Sequence, residues 1–221
     1  MTQFAELNGN RVTDGRITLP FAGAWHADVT LDKEVSIPAT GLTLILAGLT
    51  LSCAAWRAPM PYQGRTRLRL IGGAGKWRNV IGPQGYKASA GVKLSLVLGD
   101  AARSVGERIT VGTDRVVGAT HYVRESAPAC RLLNRLVPGE WWIDPDGTTK
   151  TGTRPTSTIA SAFTIVSFDG ARGAAVVATE KPEDFVPGRT FRGITLASTI
   201  TIGGVTHMIT KTGLRTEVLA A

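Results

Sequence analysis

Residues 126–152 constrain the fold more than any other stretch, because they specify a short helix that runs directly into a tight hairpin. Ser126 reads as an N-cap, and Pro128 falls in the first turn, where its missing N–H leaves no bond unmade. Leu132, Leu133 and Leu136 form an apolar stripe at helical spacing, and Pro138-Gly139 stops the helix. Glu140-Trp141-Trp142-Ile143 is aromatic and β-prone. In the turn Asp144-Pro145-Asp146-Gly147, Pro fixes φ, Gly accepts φ > 0 and the Asp side chains bond nearby backbone. Thr148-Thr149-Lys150 returns as the second strand. The segment carries no nucleophile, metal-ligand cluster or phosphate loop, so its role is structural.

On either side of this unit the pattern is that of strands. After a turn at Asn8-Gly9-Asn10, residues 11–19 alternate, and Trp25, Ala27, Val29 and Leu31 share one face. Residues 42–53 read as two short strands around Gly48. Residues 65–71 alternate most cleanly, with Arg65, Arg67 and Arg69 on one side and Thr66, Leu68 and Leu70 on the other. Short strands separated by regular turns indicate a barrel or sandwich. Residues 92–105 carry Leu94, Leu98, Ala101, Ala102 and Val105 at helical spacing, with Gly106 as the stop. A strand over 109–117 and another at His121-Tyr122-Val123 complete the middle. Beyond residue 156 strands return at 161–168, 174–179, 192–196, 199–202, 206–211 and 214–219, with Pro187-Gly188 as the main turn. The expected fold is mainly β. A β-barrel-like domain (1–87) and a second one (156–221) flank a small α+β insertion (88–155) whose only helices lie at 92–105 and 128–136. A C-terminal strand that ends near residue 219 needs a partner or a closed barrel to cover its edge.

A chain of 221 residues with 26 Gly, 11 Pro and 6% aromatic residues suits short strands with frequent turns. Its longest apolar stretch, residues 42–51, is interrupted by Thr43, Gly48 and Thr50, so no membrane span is expected. Residues 1–6 have neither the basic nor the apolar region of a signal peptide, so synthesis in the cytoplasm is expected. Cys53 and Cys130 read as small buried hydrophobes, and with three scattered His they are too few for a structural zinc site. The net charge of +8 is uneven: residues 1–110 hold 13 Lys/Arg against 7 Asp/Glu, and residues 111–221 hold 12 against 10. An assembly surface, a nucleic-acid contact or solubility each explains such an excess.

The stripe Arg65, Arg67, Arg69 places guanidiniums about 7 Å apart along a strand, a spacing open to phosphate. The plainer reading is a solvated or subunit-facing strand, since cationic residues also suppress unwanted strand pairing. Gly72-Gly73-Ala74-Gly75-Lys76 lacks the Ser/Thr and the following helix of a phosphate-binding P-loop. His26, His121 and His207 match no metal or triad spacing, and Asp144 and Asp146 serve turn geometry. With no nucleophile elbow or hydrolase motif, no enzyme activity and no cofactor are expected.

A helix ending in Leu133-Asn134-Arg135-Leu136, a bulky aromatic strand and then Asp144-Pro145-Asp146-Gly147-Thr148 resembles a segment of the baseplate hub proteins of contractile phage tails. Late-control tail proteins and type VI secretion spikes carry a similar unit. Residues 90–102 resemble the first helix of the same insertion. Pro187-Gly188-Arg189-Thr190-Phe191 and Gly204-Val205-Thr206-His207 resemble its closing β-domain. The resemblance implies two small β-barrels per subunit, so that a trimer presents a quasi-sixfold ring joining the tail tube to a central spike. It implies a virion protein of the tail tip with a lumen through which DNA passes, and six copies rather than three if the two-barrel likeness fails. Trp141 and Trp142 are candidate interface residues on this reading, because neighbours on a strand point to opposite faces and both cannot fill one core; the equal alternative is that one covers the core and the other lies under a loop. So are Arg65, Arg67 and Arg69. The competing reading is a basic β-barrel module that binds nucleic acid.

Overall fold

The computed structural model describes residues 5–192, 199–210 and 213–221. Alternating apolar residues build seven N-terminal strands: β1 (Ala5–Leu7), β2 (Asn10–Pro20), β3 (His26–Leu31), β4 (Leu42–Leu46), β5 (Leu49–Ala55), β6 (Met60–Tyr62) and β7 (Arg65–Gly72). Six of them close into an antiparallel barrel in the order β1-β4-β5-β7-β3-β2, with β2 returning to β1. Leu7, Ile17, Ala27, Leu31, Leu44, Leu51 and Leu70 point inward and are fully buried. Each such leucine contributes about 2 kcal/mol by leaving water. Asn8 and Gly9 both have positive φ (47° and 76°), the two-residue turn whose twist matches an antiparallel pair. Trp25 plugs one end at 1% exposure, and its carbonyl accepts the Gly72 N–H at 2.9 Å.

The insertion carries helices α1 (Leu94–Val105) and α2 (Ala129–Leu136) over a small sheet of β8 (Ile109–Val111), β9 (Trp141–Ile143) and β10 (Thr149–Thr151). β10 lies centrally, parallel to β8 and antiparallel to β9. The first helix begins two residues later than expected, because Val92–Lys93 pairs with Val116–Gly118. That pairing also splits the expected strand over 109–117. Gly106 ends α1 in the left-handed region at φ 73°. Ser126 is not the cap of α2: the helix starts after Pro128, and its first N–H groups go to backbone carbonyls, Ala129 to Asn79 and Cys130 to Trp77. An N-terminus docked on another chain segment needs no capping side chain. Both cysteines are free; Cys53 is buried, which pushes its thiol up to about 12, and Cys130 is half-buried.

The C-terminal part contains β11 (Thr164–Asp169), β12 (Ala174–Ala178), β13 (Arg189–Phe191), β14 (Ile200–Ile209) and β15 (Leu214–Ala220). The strands expected at 199–202 and 206–211 are one strand, β14, as far as residue 209. The strand expected over 192–196 lies, beyond Arg192, outside the described residues. β14 pairs with β2 of the barrel from Gly15↔Ile209 to Pro20↔Gly204, so both halves belong to one 13-stranded sheet. Phe163, Phe185 and Phe191 meet edge-to-face under the C-terminal strands. The C-terminal strand β15 is itself covered, by β14 on one side and β12 on the other. The free edge falls instead on β11. Strands make up 49% and helices 11% of the described residues, as the sequence pattern predicts for a mainly β fold with a helical insertion. Among them, no helix is long and apolar enough to cross a membrane.

Candidate assembly surface

The Trp hairpin is an internal joint. Trp141 is 8% and Trp142 5% exposed. The Trp141 indole N–H donates to Asn134 Oδ1 of α2 at 2.9 Å, and that of Trp142 to Asp144 Oδ1 at 2.6 Å. The two rings do point to opposite faces, but both faces are covered. α2 lies on one side, and the Arg154 guanidinium lies 4.8 Å over the Trp142 ring on the other. Both rings are spent largely on contacts within the subunit, which leaves little of either for a neighbouring chain. The hairpin is tied to the barrel by Gly23 N–H to the Trp141 carbonyl and Ser52 N–H to the Pro145 carbonyl, both at 2.7 Å.

Arg154 completes the joint. It also stacks 5.7 Å from Phe21 and donates to the carbonyls of Pro187 (3.1 Å) and Pro20 (3.4 Å). Burial pushes its guanidinium down to about 10, against the pull of Asp144. At the hairpin tip Gly147 has φ +81°, and a Cβ there would lie 3.1 Å from Ser52 Cβ and 3.3 Å from Gly73 Cα. Gly147→Val is expected to cost about 2 kcal/mol, a drop of about 4–8 °C in melting temperature. A calorimetric scan with an unchanged midpoint would show that the turn tolerates a side chain.

The glycine-rich loop after β7 does cradle an oxyanion, but from its own chain. Glu107, next to the end of α1, accepts the N–H of Lys76 at 2.6 Å and of Ala74 at 3.1 Å. Successive loop amides form such a nest for a carboxylate as readily as for a phosphate. Burial raises the Glu107 carboxyl above its usual range, and these amides oppose the shift. The loop thus ties barrel to insertion.

The arginine stripe lies where the alternation of β7 predicts, on the outer face of the sheet. Cross-strand pairing sets Arg69 beside Asp28 on β3, Asp28 beside Arg16 on β2, Arg16 beside Met208 on β14 and Met208 beside Arg215 on β15. This uncovered polar face therefore crosses from the barrel to the C-terminal strands without a break. Arg69 grips Asp28 with two bonds of 2.7 and 2.8 Å, which hold the carboxyl below its usual range. Arg67 lies 3.9 Å over the Tyr62 ring, and Arg65 is half-buried beside the same strand pair. The stripe is thus one paired arginine and two without a carboxylate partner among the described ion pairs. The sheet path β6-β7-β3-β2-β14-β15-β12-β11 ends in two edges, β6 and β11. Val166 and Phe168 on β11 are exposed, as are Met60 and Tyr62 on β6.

No protein-family model matches the sequence, and no curated protein is significantly similar to it. Solved structures are. The 43 kDa tail protein of prophage MuSo2 from Shewanella oneidensis superposes with a TM-score of 0.65 at 11% identity, covering 98% of this chain and 96% of the other. A tail protein from Neisseria meningitidis gives 0.63 at 14% identity, covering 98% and 94%. A type VI secretion component of E. coli, described as structurally similar to the T4 bacteriophage tail proteins gp27 and gp5, gives 0.62 at 11% identity, covering 98% and 76%. The chain shares its fold with phage tail proteins and with this secretion component.

Proposed function

We propose that this protein is a structural, non-catalytic subunit of a phage tail tip, a hub-like ring around the tail axis that joins the tail tube to a central spike. The observation that carries the reading is the eight-strand path through the sheet, with one open polar face and, among the described residues, a free edge at each end. All seven contacts along its eight-strand path are antiparallel. An even number of alternating strands leaves β6 and β11 antiparallel to each other. Copies related by rotation can therefore abut β11 of one against β6 of the next, a heterologous contact that closes into a ring. The shared fold with tail proteins supports the same reading; on it, the chain divides into units at 1–87, 88–155 and 156–221. The arginine stripe then faces the lumen rather than a neighbouring subunit.

Three copies per particle are expected, or six if each subunit supplies only one ring-forming unit. Cryo-EM of the purified particle and light scattering of the chain co-expressed with tail proteins measure this directly. A double change Val166→Lys/Phe168→Lys on β11 should leave the melting temperature of the subunit within a degree or two while preventing ring closure, since edge lysines block strand addition. A chain missing from the tail tip, or present as a lone copy off the axis, would refute the hub reading.

A further inference from the structure

Between Glu34 and Asp100 the sequence holds eight cations and no carboxylate. The fold gathers four of these cations, Arg57, Arg67, Arg69 and Arg78, at one end of the open sheet face. Arg57, Arg67 and Arg69 line a groove of about 450 Å³ together with Met60, Asp14 and Asp28. Asp28 is taken up by Arg69, which leaves Asp14 as the one unpaired acid of the groove. Beside it, Trp56 extends β5 by donating its N–H to the Arg69 carbonyl at 2.7 Å.

Two of the arginines are held on aromatic rings rather than on carboxylates. Arg67 stacks on Tyr62 at 3.9 Å; Arg78 stacks on Trp56 at 4.5 Å and donates to the Trp56 carbonyl at 2.9 Å. A guanidinium held over a ring is already restricted in rotamer, and its N–H groups that are not spent on the Trp56 carbonyl remain to donate to a phosphate. Tyr62 and Met60 remain 45% and 63% exposed, an apolar surface of the kind against which bases pack. We propose that this groove binds the phosphate backbone of nucleic acid without regard to sequence. An acidic protein would meet the same forks with carboxylates, as Asp28 meets Arg69, but would bring no base to the exposed Tyr62 ring. The inference rests on the subunit alone and does not require the ring.

The test is fluorescence anisotropy of a labelled DNA duplex of about 20 base pairs with the full chain at about 50 and 200 mM salt. The variant Arg57→Gln/Arg67→Gln/Arg78→Gln should bind about tenfold more weakly at the lower salt. Its dependence of log K on log salt should flatten by about one for each arginine that meets a phosphate. The control Lys87→Gln/Arg131→Gln/Arg135→Gln removes the same charge from exposed positions elsewhere and should bind nearly as the parent does. Melting curves check the fold of each variant. If the triple change unfolds the chain, the single changes Arg57→Gln and Arg67→Gln are read in the same way. Equal losses in groove and control variants would overturn the proposal, as would a parent chain that does not bind. So would a poly-glutamate peptide that competes as well as unlabelled DNA, which would point to an acidic protein partner instead.

Discussion

The Gly72→Val variant is expected to lose more than 3 kcal/mol of stability, with a melting temperature about 10 °C lower or no cooperative transition at all. Gly72 is the last residue of β7, and its backbone conformation suits any amino acid. The constraint is space. A Cβ at this position would lie 2.5 Å from Trp25 Nε1 and 2.8 Å from two further indole atoms. Trp25 is fully enclosed, and its own carbonyl is bonded to the Gly72 N–H, so the ring cannot swing aside without opening the barrel end. Interiors packed at crystal density do not absorb three extra carbons against a fixed indole. Chemical denaturation followed by tryptophan fluorescence measures the loss, and a shift below about 1 kcal/mol would mean that the ring has room to move.

The barrel was legible because its strands are short, alternate strictly and are joined by turns with their own chemistry. Thr66, Leu68 and Leu70 point inward, and Arg67 and Arg69 outward, as the spacing predicts. The helix–hairpin unit was legible for the same reason except at its start, where Ser126 does not cap α2 and the first N–H groups bond to Asn79 and Trp77 instead. What escaped was decided at long range. Nothing in residues 10–20 shows that they pair with 204–209, yet that pairing turns two β units into one sheet with a common open face.

The tryptophans show how a sound local rule leaves burial undecided. Neighbouring strand residues do face opposite ways, but an interface role for one of them needs the hairpin to have a solvent side. It has none, because α2 and Arg154 occupy both. Arg154 itself carries no sequence signal, since an arginine after a turn looks like any surface cation. Glu107 was hidden in the opposite sense: the glycine loop invited a phosphate, and the carboxylate that fills it is supplied 31 residues beyond Lys76. Arg65, Arg67 and Arg69 form a uniform stripe in sequence but differ in the structure, because only Arg69 has an aspartate across from it.

The second large effect expected is loss of stability in mild acid, and it comes from His207. His207 projects from β14 and is fully buried, and its Nδ1 lies 2.9 Å from Thr216 Oγ1 on the neighbouring β15. Burial disfavours the charged imidazolium and depresses the pKa from 6.5 to about 4, opposed by the backbone of Phe185. In the unfolded chain the ring has its ordinary pKa. Between pH 6.5 and about 4 the unfolded state therefore binds a proton that the folded state does not. Stability is complete above pH 6.5 and falls with acidification at about 1.4 kcal/mol per pH unit, reaching a loss of about 3 kcal/mol near pH 4. Glu107, with its raised carboxyl, acts with the opposite sign in acid, and the lowered Asp28 carboxyl contributes only at still lower pH. The decisive measurement is thus a difference: urea denaturation of the parent and of His207→Gln across pH 4–7. The variant starts from a lower stability at pH 7 because an amide replaces the fitted ring, but its curve should be flatter by the full histidine contribution. Parallel curves would mean that His207 takes up its proton in the folded state, and that water reaches the ring.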